Sequence, residues 1–274
     1  MNGRESFLSL ANIPELKRRL FYLFLGLAIY RFAIHIPAPG INTEAFIEFF
    51  QRAGGTLFGF LDIFSGGALR RFSICALGVM PYISASIIMQ LMTVVFPTIK
   101  EYYKEGPEGR RKIAYYTRYL TVVICLIQGF GVALGLERMV SPSGIPIVAE
   151  PGWAFRIMTM ITLTAGTLFL VWLGEQMTEH GIGNGISMII YAGIVAGIFP
   201  AIGRTLKFVQ TGEFSFFGLL LILLLLFGIL AFTCFMELSQ RRIPIHHARR
   251  QVGRQVVGGN VSYLPLKLNS AGVI

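Results

Sequence analysis

The chain has 274 residues, a formal net charge of +10, 54% hydrophobic residues and only 14% charged residues. A soluble domain carries about 25% charged residues, so this composition excludes an ordinary soluble globular protein. The apolar residues occur in long blocks separated by charged loops, and a helix needs roughly 20 mostly apolar residues to cross a bilayer. The composition therefore predicts an all-α polytopic membrane protein, since the strands of a β-barrel would alternate over about 10 residues.

The first apolar block, residues 20–36, follows a short tail that ends in Lys17, Arg18 and Arg19. A cleaved signal peptide also has basic residues before an apolar stretch. This block is long for a signal peptide, however, and it lacks a convincing small-residue cleavage site. An uncleaved first transmembrane helix is therefore the favoured interpretation.

Five further blocks are long enough to cross a membrane: residues 73–96, 113–136, 153–173, 186–202 and 214–235. The last residues, 268–274, are apolar again but too few to span. The pattern predicts six spans and the beginning of a seventh, so we expect the chain to be a fragment of a longer protein.

Lysine and arginine are distributed unevenly between alternate loops. With the N-terminal tail inside, the inner segments hold 16 of these residues and the outer segments hold seven. Cytoplasmic loops of membrane proteins carry such an excess, which predicts a cytoplasmic N-terminus.

A short apolar piece precedes the second block and cannot cross a membrane. It consists of Leu57, Phe58, Gly59, Phe60, Leu61, Asp62, Ile63 and Phe64. Half-length segments persist at membrane depth only when protein buries them or when they line a water-filled cavity. A re-entrant half-helix in a pore and an amphipathic helix on the outer surface both fit these residues.

The second block contains Pro81, and Val79, Ile83 and Ile87 are spaced four apart, which puts them on one helix face. Polar groups occur in the same block: Ser84, Ser86 and Gln90. Ordinary helix packing, with the serines bonded to their own backbone, is favoured over a functional stripe.

A glycine-rich stretch, residues 181–185, opens the fifth span. No strand pattern precedes it and no P-loop lysine follows it, so the stretch does not indicate a phosphate-binding loop. It predicts a tight turn with Asn184 as the helix N-cap. Ile186 and Ile190 then form an i, i+4 pair at the start of the helix.

The basic loop, residues 237–267, holds five arginines within fourteen residues. Such a cluster can bind anionic lipid headgroups, an acidic protein surface or nucleic-acid phosphates, or it can do no more than fix the topology. His246 and His247 have no acids or cysteines near them, so a metal site is not expected there.

Enzymatic chemistry has little support in the residues. Intramembrane charge is scarce, with Arg31 and Glu175 near helix ends the main candidates. The chain lacks the HExxH and GxSxG motifs, and the three cysteines all lie in apolar blocks. We predict a protein that is not an enzyme and needs no cofactor.

Seven segments form an ordered set along the chain. They are Ile36-Pro37-Ala38-Pro39-Gly40-Ile41, Phe64-Ser65-Gly66-Gly67-Ala68-Leu69, residues 76–88, residues 105–112, Trp172-Leu173-Gly174-Glu175-Gln176, Gly181-Ile182-Gly183-Asn184-Gly185 and Leu264-Pro265-Leu266-Lys267. Each segment alone is weak evidence, but the ordered set is very specific, and by it the chain resembles the SecY family of protein-conducting channels.

The resemblance implies a fold of ten helices in two inverted halves around an hourglass pore. This chain would supply a cytoplasmic tail (1–19), the first five-helix half (20–203) with its plug (57–67), and the sixth helix with its preceding loop (204–236). The basic cytoplasmic loop (237–267) and the start of the seventh helix (268–274) would follow.

The resemblance also implies site residues. The pore ring would include Val79, Ile83, Ile186 and Ile190. The lateral-gate helix would present Ser84, Ile87 and Gln90. The contacts to the ribosome and to the SecA motor would come from Arg242, Arg249, Arg250 and Arg254, although Gln255 stands where the family often has a second basic residue.

The implied function is protein translocation across, and insertion into, the bacterial plasma (inner) membrane. Implied partners are the SecE and SecG subunits, SecA, the ribosome with its RNA, signal peptides, nascent chains and membrane lipids. A coupled secondary transporter would need intramembrane acids or histidines, and an intramembrane protease would need a nucleophile with a base or two facing aspartates. The sequence shows neither pattern.

Overall fold

A computed structural model describes residues 14–53, 62, 65–141, 144–212, 215–246, 250–252, 255–257 and 261–267. The chain divides into two compact units, Met1–Ala201 and Ile202–Ile274. The helices are α1 (Pro14–Ala33), α2 (Thr43–Ala53), α3 (Met80–Val95), α4 (Pro97–Lys104), α5 (Pro107–Glu137), α6 (Trp153–His180), α7 (Gly185–Gln210) and α8 (Phe216–Leu238). The strands are β1 (Gln240–His246), β2 (Arg250–Val252), β3 (Gln255–Val257) and β4 (Val261–Lys267).

Prolines fix the beginnings of α3, α4 and α5, where each occupies one of the first two helical positions. Proline fits there because the first amides of a helix have no intrahelical acceptor to lose. The prediction of one helix over residues 73–96 with Pro81 inside it is therefore wrong at its start. Residues 65–79 form mainly turns, and the helix begins at Met80.

Four helices in the described part of the chain are long and apolar enough to cross a membrane. They are Pro107–Glu137, Trp153–His180, Gly185–Gln210 and Phe217–Leu238. The other two predicted spans fall on α1, which carries four basic residues, and on α3, which has 16 residues. At about 1.5 Å per residue, α3 alone is shorter than a hydrocarbon core of about 30 Å.

Two clusters of buried side chains form the interior of the first unit. One is built around Phe46, Phe72 and Phe155. The other brings together side chains of α1, α6 and α7 with the segment before α3, including Ile34, Val79, Leu170 and Ile189. This second cluster contains Val79 and packs against Ile186, two of the four residues that the family resemblance assigned to the pore ring.

Helices α5 and α6 are antiparallel neighbours joined by ion pairs towards both ends. Glu137 pairs with Arg156 across 2.7 Å, and Arg118 donates to Glu175 at 2.9 Å. Gly166 of α6 allows close packing, because a Cβ there would collide with the carbonyl group of Ile74. Small residues at helix interfaces permit such an approach in membrane proteins.

The second unit contains α8 and two separate two-stranded antiparallel sheets. Strand β1 pairs with β4 from Gln240 opposite Lys267 to His246 opposite Val261, and β2 pairs with β3 from Arg250 opposite Val257 to Val252 opposite Gln255. The sequence pattern indicated a loop over residues 237–267 and gave no sign of these strands.

Candidate functional site

Val79 caps the start of α3 and is almost fully buried, with 5% of its surface exposed. Its carbonyl oxygen accepts a hydrogen bond from the amide of Ile83 at 3.1 Å, which begins the helix. Val79 is a member of the cluster that contains Leu170 and Ile189. The proline at the second helical position thus places a branched apolar side chain at the point where turns give way to helix.

Asn184 caps α7, as the sequence predicted. Its side-chain oxygen accepts hydrogen bonds from the amides of Ile186 at 3.0 Å and Ser187 at 3.4 Å. Gly174 on α6 has no side chain, and a Cβ there would lie 2.6 Å from Cγ1 of Ile186. Ile186 can therefore approach α6 closely at the first turn of α7.

The structure brings two of the four predicted ring residues to one cluster. Ile186 is half-buried and packs against the same buried cluster that includes Val79. Ile83 and Ile190 are also half-buried. Within the described residues, neither of them belongs to the two buried clusters.

The predicted lateral-gate residues lie along α3. Ser84 is half-buried, Ile87 is 39% exposed and Gln90 is exposed. Because they are three residues apart, they lie close together around the helix axis. Exposure therefore increases along this side of α3, from the half-buried Ser84 to the exposed Gln90.

Of the predicted plug residues from Leu57 to Phe64, the structure describes Asp62; Leu57 to Leu61, Ile63 and Phe64 lie outside the described residues. The Asp62 carboxylate accepts a hydrogen bond from the amide of Arg70 at 2.9 Å and one from Ser65 Oγ at 3.4 Å. Burial raises the pKa of this carboxyl, although these hydrogen bonds and the Arg70 charge act in the opposite direction. Asp62 is thereby tied to the segment that follows it.

Helix α1 holds the same segment through contacts that the sequence did not reveal. Arg31 Nη1 donates to the carbonyl of Gly66 at 3.0 Å, and the Tyr30 hydroxyl donates to the carbonyl of Ser65 at 3.5 Å. A Cβ on Gly66 would lie 2.6 Å from the Tyr30 hydroxyl and 2.9 Å from Cα of Gly193. The available signal was an isolated arginine in an apolar helix, which indicates a specific partner.

Two of the four predicted arginines of the basic loop (237–267) lie on strands that the structure describes. Arg242 is exposed on β1 opposite Pro265, and Arg250 lies on β2 opposite Val257. Arg249 and Arg254 lie outside the described residues. Gln255, which departs from the family pattern, pairs with Val252 at the start of β3.

Comparison with known proteins gives the family. The SecY family profile matches residues 73–274. The chain is 50% identical over 262 residues to protein translocase subunit SecY of Escherichia coli K12, covering 96% of this chain and 59% of that protein. It is 49% identical to SecY of Pseudomonas aeruginosa, covering 99% of this chain and 60% of that protein.

Solved structures agree on the fold. One described as "The structure of a protein conducting channel" has a TM-score of 0.58 at 21% identity. The match covers 92% of this chain and 53% of the chain in that structure. Sec61 in a canine ribosome–channel complex has a TM-score of 0.54 at 20% identity, covering 84% and 50% respectively. The chain spans about 60% of the length of the bacterial relatives named above. It is a multi-pass membrane protein that belongs to the SecY family.

Proposed function

We propose that this chain forms the first half of a protein-conducting channel, together with the sixth helix and the basic loop that follows it. The observation that carries the proposal is the identity of about half of its residues to bacterial translocase subunits over nearly the whole chain. The channel is passive, and partner proteins supply the driving force.

The first half of the channel contributes Val79, Ile83, Ile186 and Ile190 to the pore ring. Branched aliphatic side chains around a constriction exclude water and ions, because an apolar passage dewets. They also deform around a polypeptide without recognising its sequence. The packing of Val79 and Ile186 on one buried cluster supports a rigid base for such a ring.

The plug (57–67) closes the outer side of the pore, and the face of α3 with Ser84, Ile87 and Gln90 forms part of the lateral gate. The contacts of Arg31 and Tyr30 with residues 65 and 66 support this assignment. They fasten the C-terminal end of the plug to α1, so the remainder can leave while its base stays in place.

The basic loop (237–267) docks the partners that drive translocation. Arg242, Arg249, Arg250 and Arg254 bind the ribosome, through the phosphates of its RNA, or the SecA motor. SecE and SecG complete the channel, and the transported ligands are signal peptides and nascent secretory or membrane proteins. The excess of basic residues in alternate loops supports a bacterial inner-membrane location with the N-terminus in the cytoplasm.

Site-specific photocrosslinking to a stalled secretory precursor tests the pore assignment. A photoreactive residue at Ile83 or Ile186 of the complete channel should form adducts with the precursor. Ile127 on α5, which is 68% exposed, is the matched control and should give lipid adducts instead. Absence of precursor adducts at both pore positions, with the precursor engaged, would count against a pore at this site.

A further inference from the structure

The first turn of α7 takes one of its hydrogen-bond partners from α6. The first amides of a helix have no acceptor within that helix. Asn184 supplies an acceptor for two of them, the amides of Ile186 and Ser187. The amide of Gly185 instead donates to Oγ1 of Thr178 on α6 at 2.8 Å. Because Gly185 is buried, an amide left unpaired there would be costly, and this bond ties the beginning of α7 to α6.

The same threonine hydroxyl is also bound to its own helix. Thr178 Oγ1 donates to the carbonyl of Gly174 at 2.8 Å, so one oxygen atom bridges the two helices. A Cβ built on Gly185 would collide with that Gly174 carbonyl. Because Gly185 has no side chain, the two backbones can meet, and the hydroxyl fixes the position in which they meet.

Gly174 also receives Ile186. A Cβ on Gly174 would lie 2.6 Å from Cγ1 of Ile186 and 3.3 Å from both its Cα and its amide nitrogen. The backbone of α7 takes part in this contact, so a rotation of the Ile186 side chain alone would not make room. Ile190 follows one turn later on the same side of α7. The positions of both predicted ring residues on this helix therefore depend on the contact with α6.

We propose that Gly174 and Thr178 form a seat on α6 that fixes Ile186 and Ile190 in the pore ring and so sets the width of the constriction. They are positioning residues, since they act through the backbone of α7. Gly174 sets how closely the first turn of α7 approaches α6, and Thr178 holds that turn in place. The proposal rests on the assignment of Ile186 and Ile190 to the ring, which belongs to the proposed function.

The rate of thiol modification at Ile190→Cys in the complete channel, reconstituted in vesicles, tests this seat. A charged, membrane-impermeant thiol reagent reacts where water reaches the introduced thiol. Cys234→Ala removes the exposed native thiol, whereas Cys75 and Cys125 are buried and can stay. The thermal unfolding midpoint of every variant is measured alongside, because a loss of stability alone would lower that midpoint.

Thr178→Val should raise the modification rate about two- to tenfold, the population change that loss of one hydrogen bond produces. Thr178 is itself exposed, so valine, which is similar in shape, removes the hydroxyl without disturbing a buried contact. Thr178→Ser keeps the hydroxyl and should leave the rate unchanged. Thr162→Val is the matched control on α6, because the Thr162 hydroxyl donates to the carbonyl of Met158 in its own helix, at 2.7 Å.

Gly174→Ala tests the same seat by steric displacement. It should change the modification rate at least twofold, and Ile186→Ala should reduce this effect because it removes the nearest clashing atom. Gly131→Ala on α5 is the control, since a Cβ built on Gly131 has no atom within 4 Å.

Equal modification rates for Thr178→Val and Thr162→Val, or for Thr178→Val and Thr178→Ser, would overturn the proposal. Rates that follow the unfolding midpoint across all variants would overturn it too, because they would show a structural role alone. A stalled precursor should also slow the modification of Ile190→Cys in the otherwise unchanged channel. Absence of that protection would refute the ring, and with it the role of the seat, whereas failure of the threonine contrast with protection intact would refute the seat alone.

Discussion

Substitution of Gly66 by alanine should loosen the C-terminal end of the proposed plug (57–67). Gly66 has a φ of +66°, a left-handed conformation that costs an L-residue about 1–2 kcal/mol. It also lies between two helices, since a Cβ would meet the Tyr30 hydroxyl on α1 at 2.6 Å and Cα of Gly193 on α7 at 2.9 Å. Gly193 Cα belongs to the backbone of a helix and cannot turn aside.

The neighbouring glycine, Gly67, separates the cost of the left-handed backbone from the cost of the steric clash. Gly67 has a φ of +89° but no atom within 4 Å of a Cβ built on it. Gly67→Ala therefore carries the conformational cost alone, whereas Gly66→Ala adds an overpacking cost of about 1–3 kcal/mol. Gly66→Ala should destabilise the seated segment by about 2–5 kcal/mol in total.

Two measurements check this difference in the complete channel. The thermal unfolding midpoint in detergent should fall further for Gly66→Ala than for Gly67→Ala, and reconstituted Gly66→Ala channels should leak more ions. Tyr30→Phe should partly rescue Gly66→Ala, because it removes the nearer of the two clashing atoms. Indistinguishable midpoints and leak rates for the two alanine variants would refute the close approach of α1, α7 and Gly66.

Two further predictions concern the ion pair between Arg118 and Glu175 and the arginines of the basic loop (237–267). Arg118→Gln and Glu175→Gln should each lower the unfolding midpoint, with a coupling of up to about 1 kcal/mol in the double-mutant cycle, and strictly additive effects would contradict the pairing. Arg249→Glu and Arg254→Glu should weaken binding to ribosomes or SecA, most strongly at low salt. Affinity that stays unchanged across a salt titration would exclude these arginines from docking. Arg242→Glu should weaken this binding as well, and Arg241→Glu is its control, because neighbouring residues of β1 point to opposite faces of the strand pair.

The elements that follow from local chemistry were predictable from the sequence. Long apolar blocks indicated the helices, and the hydrogen bonds of Asn184 to the first turn of α7 confirm the predicted cap. The start of α3 was misjudged, because the apolar block before Pro81 continues without a break. In the structure those apolar residues lie in turns whose side chains are nevertheless largely buried.

Contacts between residues far apart in the sequence could not be predicted in the same way. Arg31 meets Gly66 across 35 residues and Arg118 meets Glu175 across 57, and no local pattern relates such pairs. The sequence did not indicate the pairing of β1 with β4, for another reason. Pro244 and Pro265 argue against strands, but each strand of a two-stranded ribbon has an outer edge where an absent amide donor does no harm.

Helix α8 carries the most apolar of the four spanning stretches in the described part of the chain. Its composition by itself favours insertion into a bilayer, since each leucine, isoleucine or phenylalanine near the centre of a helix contributes about 0.3–0.6 kcal/mol. Such a segment can leave the biosynthetic machinery and partition into lipid before the rest of the fold is complete. Exchanges among its large apolar residues should consequently pass unnoticed during biogenesis, whereas a single central arginine would cancel the contribution of several leucines.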